Sequence, residues 1–479
     1  MSKFKTVALL YFFGEKMKEN TTVSIGSLAL IDKVDCEFGF FRRVFSGLSG
    51  RAKNLVPSTK LFIYNRLSEC FATNRLREGY SAELFELLRF TKIPSDRSLY
   101  RDLERVGKKH QFILERYQKF IQEEKLVADK QFMDFSSSYF EGEAHAFGEY
   151  GYSRDGQPGK KQLTFGVCSG INGIPCALTI QKGNVQDKAH FRFMLKTSEA
   201  VLEKDSLLIF DTGGNTKENK CLVREKRFHY LTLKAKKVGP YKKMLERYHQ
   251  GIKIEVVIND VSYQCVKTIV DDEINYIFFC EQLKQDHLAL KERKFKRELE
   301  RNRRVLKKTK SGKDIDEFIT EEGIITTKGS LQKTLESIEN PRINGLEGFF
   351  ILESSLNVEP ERAIALYKDK DKAEKLFRSI KEGTELRPIR HWSNDAIIGY
   401  ILVIFLTNFF VNLTLLRAQN AVVKNTKLLE KYLRKLTLVI IYPPTGFKFS
   451  ILANICPEIT SILGNFIEKY RDKSLPLRW

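Results

Sequence analysis

At 479 residues, 42% hydrophobic and 11% aromatic, the chain is long enough for two or three domains with a sizeable core, and it is not a disordered polypeptide. Its 81 lysines and arginines against 60 aspartates and glutamates leave a formal charge of +21, which fits a polyanionic partner: nucleic acid or an anionic membrane surface. The eight cysteines are scattered with no C-x-x-C pair, so the sequence reads as a reduced cytoplasmic protein without zinc; Cys168 and Cys176 flank a predicted hairpin and are possible neighbours. The apolar run near the N-terminus lacks a small-residue cleavage site, which disfavours a signal peptide.

Residues 1–130 read as mainly helical. SAELFELLRFT (81–91) is a short helix ended by KIP. Ser95 then caps a second helix, DRSLYRDLERVGKK, with Leu99, Leu103 and Val106 on one stripe. Two short helices and a tight turn, the second helix bearing Arg97, Arg101 and Arg105, fit a helix-turn-helix DNA reader; an ordinary helical bundle fits them too.

From 131 the period changes to two. QFMDFSSSYF, QLTFGVCSG and IPCALTIQ read as strands, the last two joined around Asn172-Gly173, a strong hairpin signal. A helix (KAHFRFMLKTSEAVLE), a buried strand ending at Asp211 (SLLIFD), a short helix (217–227) and a further strand (FHYLTLKA) follow. The fold class is therefore α/β, in the order β-β-β-α-β-α-β. Residues 240–340 interrupt that rhythm as a β-rich insertion, with strands in KIEVVINDVSYQCVKTIV and EINYIFFCEQL before a basic helix, KERKFKRELERNRRVLKKTK. That helix reads either as a solvated face or, given its surplus of cations, as a phosphate contact.

GFFILES gives one more strand, and a charged helix follows in YKDKDKAEKLFRSIK (367–381). On a helical wheel Tyr367, Lys370, Glu374 and Lys381 fall within ~60° of one another, with Arg378 on the same side. Such a face is either a solvated surface laced with ion pairs or a glutamate ringed by tyrosine and cations, and Asp371, near the same face, is a second candidate acid. AIIGYILVIFLTNFFVNLTLL (396–416) carries no charge and is long enough to span a bilayer; the central helix of a soluble core has the same composition. The remainder, 421–479, reads as helical with a small apolar patch at LTLVIIYPP.

Three acids stand out by position. Asp134 lies inside the first strand, Asp211 at the carboxyl end of a buried strand, and Glu374 on the charged helix. An acid ending a buried apolar strand has to be paired, hydrogen-bonded or metal-bound, and ligand sites in open α/β sheets gather at the carboxyl ends of strands. Three carboxylates suit hard divalent cations, and two such ions about 4 Å apart serve phosphodiester chemistry.

These residues resemble the DDE transposases of prokaryotic insertion sequences, in the group with the Y-x2-R-x3-E-x6-K signature. Tyr367, Lys370, Glu374 and Lys381 match it, with lysine for arginine. MDFSSSYFEGE is similar to the first-acid strand and LLIFDTGGNTKEN to the second-acid segment, with Asp211, Gly213, Thr216 and Asn219 in register; GNVQD (183–187) and LRPIRHW (386–392) are also similar to family segments. Thr212 stands where the family often has arginine, and Glu347-Gly348 where it has Asp-Gly.

The resemblance covers roughly residues 90–420 and implies a ribonuclease-H-like mixed sheet. The N-terminal DNA-binding region would be 1–130, the catalytic core 131–239 and 341–420, the insertion 240–340, and the helical C-terminal region 421–479. It implies Asp134, Asp211 and Glu374 as catalytic residues and ligands of two Mg²⁺ (or Mn²⁺), and Tyr367, Lys370, Arg378 and Lys381 as DNA-binding residues. The implied partners are double-stranded DNA, as terminal inverted repeats and target, and a second copy in a synaptic homodimer. The implied location is the cytoplasm, at the nucleoid of a prokaryote. Because the family's apolar helix packs behind the sheet, no membrane is implied. The alternatives are a catalytically inactive, transposase-derived DNA-binding protein and a membrane-associated protein using 396–416 as a span.

Overall fold

The computed structural model describes residues 19–52, 54–142, 147–301, 303–308, 314–320, 323–328, 340, 342–378, 380, 386, 388–418, 423, 425–442 and 448–471. In chain order, strand β1 (Thr21–Ser24) leads into helices α1 (Gly26–Phe38), α2 (Phe40–Phe45), α3 (Val56–Arg66), α4 (Leu76–Gly79), α5 (Ala82–Leu87), α6 (Asp96–Lys108) and α7 (His110–Glu123). Then come β2 (Lys130–Tyr139), β3 (Gln162–Gly170), β4 (Pro175–Lys182), α8 (Asp187–Glu199), β5 (Leu207–Phe210), α9 (Lys217–Glu225) and β6 (His229–Leu233), in the expected order. Helix α10 (Val238–Gln250) precedes β7 (Ile254–Ile258), β8 (Val261–Val270), β9 (Glu273–Phe279) and helix α11 (Glu281–Arg301). Strands β10 (Arg303–Lys308), β11 (Asp314–Thr320), β12 (Gly323–Lys328) and β13 (Phe349–Ser354) follow. Helices α12 (Pro360–Lys368), α13 (Lys370–Arg378), α14 (Asn394–Arg417) and α15 (Thr426–Leu433), strands β14 (Thr437–Ile441) and β15 (Phe449–Ala453), and helix α16 (Pro457–Leu463) complete the chain. The chain forms two compact units, one of residues up to Ser206 together with those from Lys370 onward, the other Leu207–Asp369.

In the first unit β2, β3 and β4 form an antiparallel meander, with Asp134 opposite Val167 and Cys168 opposite Ala177. The β3–β4 turn is the predicted one: Gly173 has φ +83°, and the Asn172 side chain accepts from the Ile174 amide at 3.1 Å. Helix α7 docks on β4 through Tyr117, which donates to the Pro175 carbonyl, and Gln118, whose amide reaches the Cys176 carbonyl at 3.1 Å. All eight cysteines are free; Cys168 and Cys176 are both buried, and each thiol faces Gln131 Oε1, at 3.6 and 3.2 Å.

Helix α14 carries the apolar run. It is long and apolar enough to cross a membrane, but 89% of its most hydrophobic window is buried inside the unit. It packs on α6, α3 and β4. Phe40, Tyr117 and Phe120 surround Phe409, with ring centroids 5.3–5.8 Å from it. Against α6 the approach is backbone to backbone: a Cβ on Gly107 would lie 1.7 Å from the Asp395 carbonyl oxygen, and one on Gly399 2.2 Å from that of Leu103. Only glycine fits at either position. Ser95 caps α6 as expected, and Leu99, Leu103 and Val106 are buried, so the predicted stripe faces this core; Arg97 and Arg101 are exposed and Arg105 pairs with Asp102 at 2.6 Å.

In the second unit β5 pairs parallel with β6, and the mixed sheet continues antiparallel through β13, β9, β8 and β7. Helix α10 covers part of it, packing Tyr241, Met244 and Tyr248 on Val266, Ile277 and Ile351.

Four expectations need correction. KIEVVINDVSYQCVKTIV is two strands, because Asn259 and Asp260 both take positive φ and turn the chain. Strands β7–β9, expected inside a separate insertion, extend the sheet of β6 and β13. The basic helix ends at Arg301, and RRVLKK is strand β10 of an antiparallel β10-β11-β12 sheet. Its register sets Arg304 opposite Glu317 and Lys308 opposite Asp314. The C-terminal region is not wholly helical: TLVII alternates in burial as β14 and lies between β1 and β15.

Two buried histidines make the first unit acid-sensitive. His190 lies against Phe135 (4.9 Å) with Thr179 Oγ1 2.8 Å from its Nε2. Burial pulls its pKa down to about 4, with Asp187 opposing and Arg154 adding to the drop. Burial, then the Arg66 charge, does the same to His391, also to about 4. The unfolded chain takes up these protons near pH 6.5 and the folded chain only near 4. Their contribution is therefore intact above about 6.5 and is lost as pH falls toward 4, up to about 3 kcal/mol per histidine. Urea unfolding at pH 7 and pH 4.5 is expected to show that loss, with His190→Gln reducing the slope; a flat profile would contradict it.

Candidate active site

Strand β2 buries Met133 and Phe135 and leaves Asp134 between them half-exposed. The carboxylate folds back on its own strand, Oδ1 accepting the Phe135 amide at 2.9 Å. Helix α13 packs against β2 and brings Glu374 to the strand that carries Asp134. The Glu374 side chain is 59% exposed, and the buried Lys370 ammonium lies 3.9 Å from Oε1. One turn further round, Asp371 pairs with Lys375 at 2.5 Å. Past the helix, Ile389 docks on the end of β2: its amide donates to the Tyr139 carbonyl at 3.0 Å and its carbonyl accepts from Glu141 N at 3.1 Å. Of the LRPIRHW segment, His391 is buried against Tyr400 (4.6 Å) and Trp392 is exposed.

Asp211 belongs to the other unit, as the residue that ends β5. Its Oδ1 accepts the Thr212 amide at 2.8 Å and, at 3.4 Å, the hydroxyl of Tyr367 on α12. The DTGGNTKEN loop is tied down residue by residue. Gly214 N donates to the Asp211 carbonyl (3.1 Å), Thr216 caps α9 through the Asn219 amide (3.1 Å), and the Asn219 side chain returns to the Gly214 carbonyl (3.0 Å). Thr216 and Asn219 thus hold the loop that presents Asp211.

The face expected on one helix is divided. Helix α12 ends at Lys368, Asp369 forms a turn, and α13 starts at Lys370, so Tyr367 and Glu374 belong to different helices and to different units. Lys381 and the Arg378 side chain lie outside the described residues. Among the described residues no group of three or more His, Cys, Asp or Glu side chains is gathered around one ion position.

An ion network in the second unit had no counterpart in the sequence reading. Glu353, on β13 and only 2% exposed, accepts from Asn215 at 2.7 Å and Lys220 at 3.0 Å, and also from Lys234. Lys220 also pairs with Glu273 (2.6 Å), which accepts from Tyr230 at 2.6 Å. Burial alone would raise the Glu353 pKa; Lys234, Lys220 and Asn215 outweigh it and hold it below the usual carboxylate range. The only signal was an acid inside an apolar strand, FFILES, the same signal that singled out Asp134. Asn215 links this network to the Asp211 loop. Glu353→Ala is expected to cost about 3 kcal/mol in chemical denaturation, since it removes the acid that Lys234 pairs with and leaves Lys220 to Glu273. An unchanged unfolding midpoint would contradict the account.

No protein-family model matches the chain, and no curated protein matches it. Among solved structures it is similar to a piggyBac transposase in a synaptic complex with hairpin DNA, at 9% identity over 98% of this chain and 86% of that one, with a TM-score of 0.43. It is also similar to the Mos1 transposase in a paired-end complex with the left transposon end, at 11% identity over 53% of this chain and 86% of that one, with a TM-score of 0.17. A Mos1 pre-cleavage transpososome gives 12% identity and a TM-score of 0.16, over 47% of this chain and 70% of that one.

Proposed function

We propose that the chain is a DDE transposase of a prokaryotic insertion sequence, cutting and joining double-stranded DNA at the element's ends by phosphodiester hydrolysis and transesterification. The observation that carries this reading is the placement of acids along the chain. Asp134 lies within the first strand of a β-β-β-α-β-α-β succession, Asp211 ends the first strand of a parallel pair, and Glu374 rides on a helix packed against the strand of Asp134. We read that succession as a ribonuclease-H-like core.

Asp134, Asp211 and Glu374 would together hold two Mg²⁺ (or Mn²⁺). The donor set fits, being all carboxylate oxygen with neither thiolate nor imidazole. Ions bound there would supply an activated water or 3′-hydroxyl and stabilise the leaving oxygen. The chain's own side chains do the rest. Lys370, Arg378 and Lys381 would hold phosphates near the cut. Tyr367, whose hydroxyl reaches Asp211 Oδ1 at 3.4 Å, would hydrogen-bond a phosphate oxygen near the cut. The cations of α11 and of the N-terminal helices would grip the terminal inverted repeats in a synaptic homodimer, at the nucleoid in the cytoplasm and away from any membrane.

Asp134→Ala, Asp211→Ala and Glu374→Ala are each expected to cut element-end DNA about a thousandfold more slowly or worse, with binding little changed. Nicking assays beside gel-shift titrations check this. Cleavage surviving in all three variants would remove the proposed site, and binding without cleavage by the wild type would make the chain an inactive, transposase-derived DNA-binding protein.

A further inference from the structure

We propose that a cleft in the second unit, formed by the β6–α10 turn, helix α11 and the loop before β13, binds the phosphate of a nucleotide unit and rests its sugar or base on an apolar wall. The cleft holds about 350 Å³, the small end of the range for ligand sites and the scale of a mononucleotide. It is distinct from the three carboxylates and does not depend on their role.

Its polar side is cationic. Lys236, Lys291 and His287 line it together with Asn344, while Val238, Leu290 and Leu346 supply the apolar wall. One acid, Glu347, also lines the cleft, but its charge is already used: it is 5% exposed and accepts from Lys291 Nζ (2.6 Å), Asn344 N (3.2 Å) and Gly345 N (2.9 Å). Lys291 has a second acceptor in the Arg342 carbonyl, also at 2.6 Å. The Lys236 ammonium has less, a carbonyl contact to Leu346 at 3.5 Å and no ion pair among the described residues.

His287 completes the arrangement. Its Nδ1 accepts the Gly348 amide at 3.2 Å, so in the neutral ring the proton sits on Nε2, which is left as a donor. Burial, then the charges of Lys236 and Lys291, pull the His287 pKa down, against smaller upward pulls from Glu347 and Asp286. Partial desolvation, then Lys291, likewise lowers the Lys236 pKa, with Glu347 opposing. Two lysines and a histidine gathered beside an acid already neutralised by its own partners form a site in which a bound oxyanion relieves the repulsion that Lys291 exerts on Lys236 and both lysines on His287. Asn344 adds a neutral polar group, and the Val238–Leu290 wall makes the site larger and less polar than an inorganic ion requires.

The test uses the full chain, with the His287 imidazole followed by NMR during titration with AMP, inorganic phosphate, adenosine and a short DNA duplex. AMP is expected to shift the resonance saturably and to raise the His287 pKa. Phosphate should do so more weakly, and adenosine not at all. Lys236→Glu, whose side chain makes only the long carbonyl contact, should weaken AMP at least about tenfold with the thermal midpoint unchanged, and Lys236→Gln should fall between. If the duplex alone shifts His287, and Lys236→Glu lowers the salt dependence of duplex binding by about one ion, the phosphate is that of a DNA strand. Saturation by AMP assigns a free nucleotide. No shift with any phosphate-bearing probe, or equal affinities for wild type and both variants, overturns the proposal. Neither result bears on DNA cleavage.

Discussion

A helix with no polar face has to be enclosed on every side, and the crossing of α6 over α14 at Gly107 and Gly399 is the contact through which the first unit achieves this. With the backbones in contact, α14 can sit in the middle of the helical layer, and its phenylalanines fill the space toward α2 and α7. Helix α7 in turn fixes β4, β4 fixes β3, and β3 fixes the register of β2, which sets where Asp134 emerges from the strand. The chain just before α14 closes the other side: Ile389 bonds to the end of β2, and α13 lies against the strand with Glu374 at its surface. A tail of packing contacts thus ends at two carboxylates.

The second unit reaches its carboxylate differently. Asp211 needs a stiff turn at the end of a short strand, and polar groups supply it: a cap at Thr216, a clasp at Asn219, and Asn215 anchored to Glu353. Glu353 is almost fully buried and each oxygen has a partner, so its role is to hold β6, β13 and the loop together rather than to meet a substrate. Buried Glu353, with its many donors, serves as structure here; Asp134 and Glu374 are more exposed to solvent.

Much of this was legible in the amino-acid sequence because it depends on local pattern. The three-strand meander, the Asn172-Gly173 turn, the Ser95 cap and the strand ending at Asp211 all follow from period and turn chemistry. What failed to show was decided by strand pairing rather than by the period of a single segment. RRVLKK is one strand of a hairpin with β11, and TLVII lies between β15 and β1, the latter more than 400 residues earlier. The turn at Asp369 divides a face that the helical wheel drew as continuous. The acids of β13 and β2 gave the same signal in sequence, and only the lysines around Glu353 tell the two apart. The spread of charge that makes the cleft at Lys236 and His287 joins three segments that no local window contains.

The proposed transposase activity requires Asp134, Asp211 and Glu374 to share divalent ions, and metal-directed cleavage of the polypeptide measures that most directly. Fe²⁺ substituted for Mg²⁺ on the DNA-bound protein, with ascorbate and peroxide, cuts the chain close to the ion. Cuts clustered around residues 134, 211 and 374, suppressed together by excess Mg²⁺ and by Asp211→Ala, are the predicted result. Cuts at only one of these segments, or a pattern indifferent to Asp211→Ala, would contradict a shared metal site.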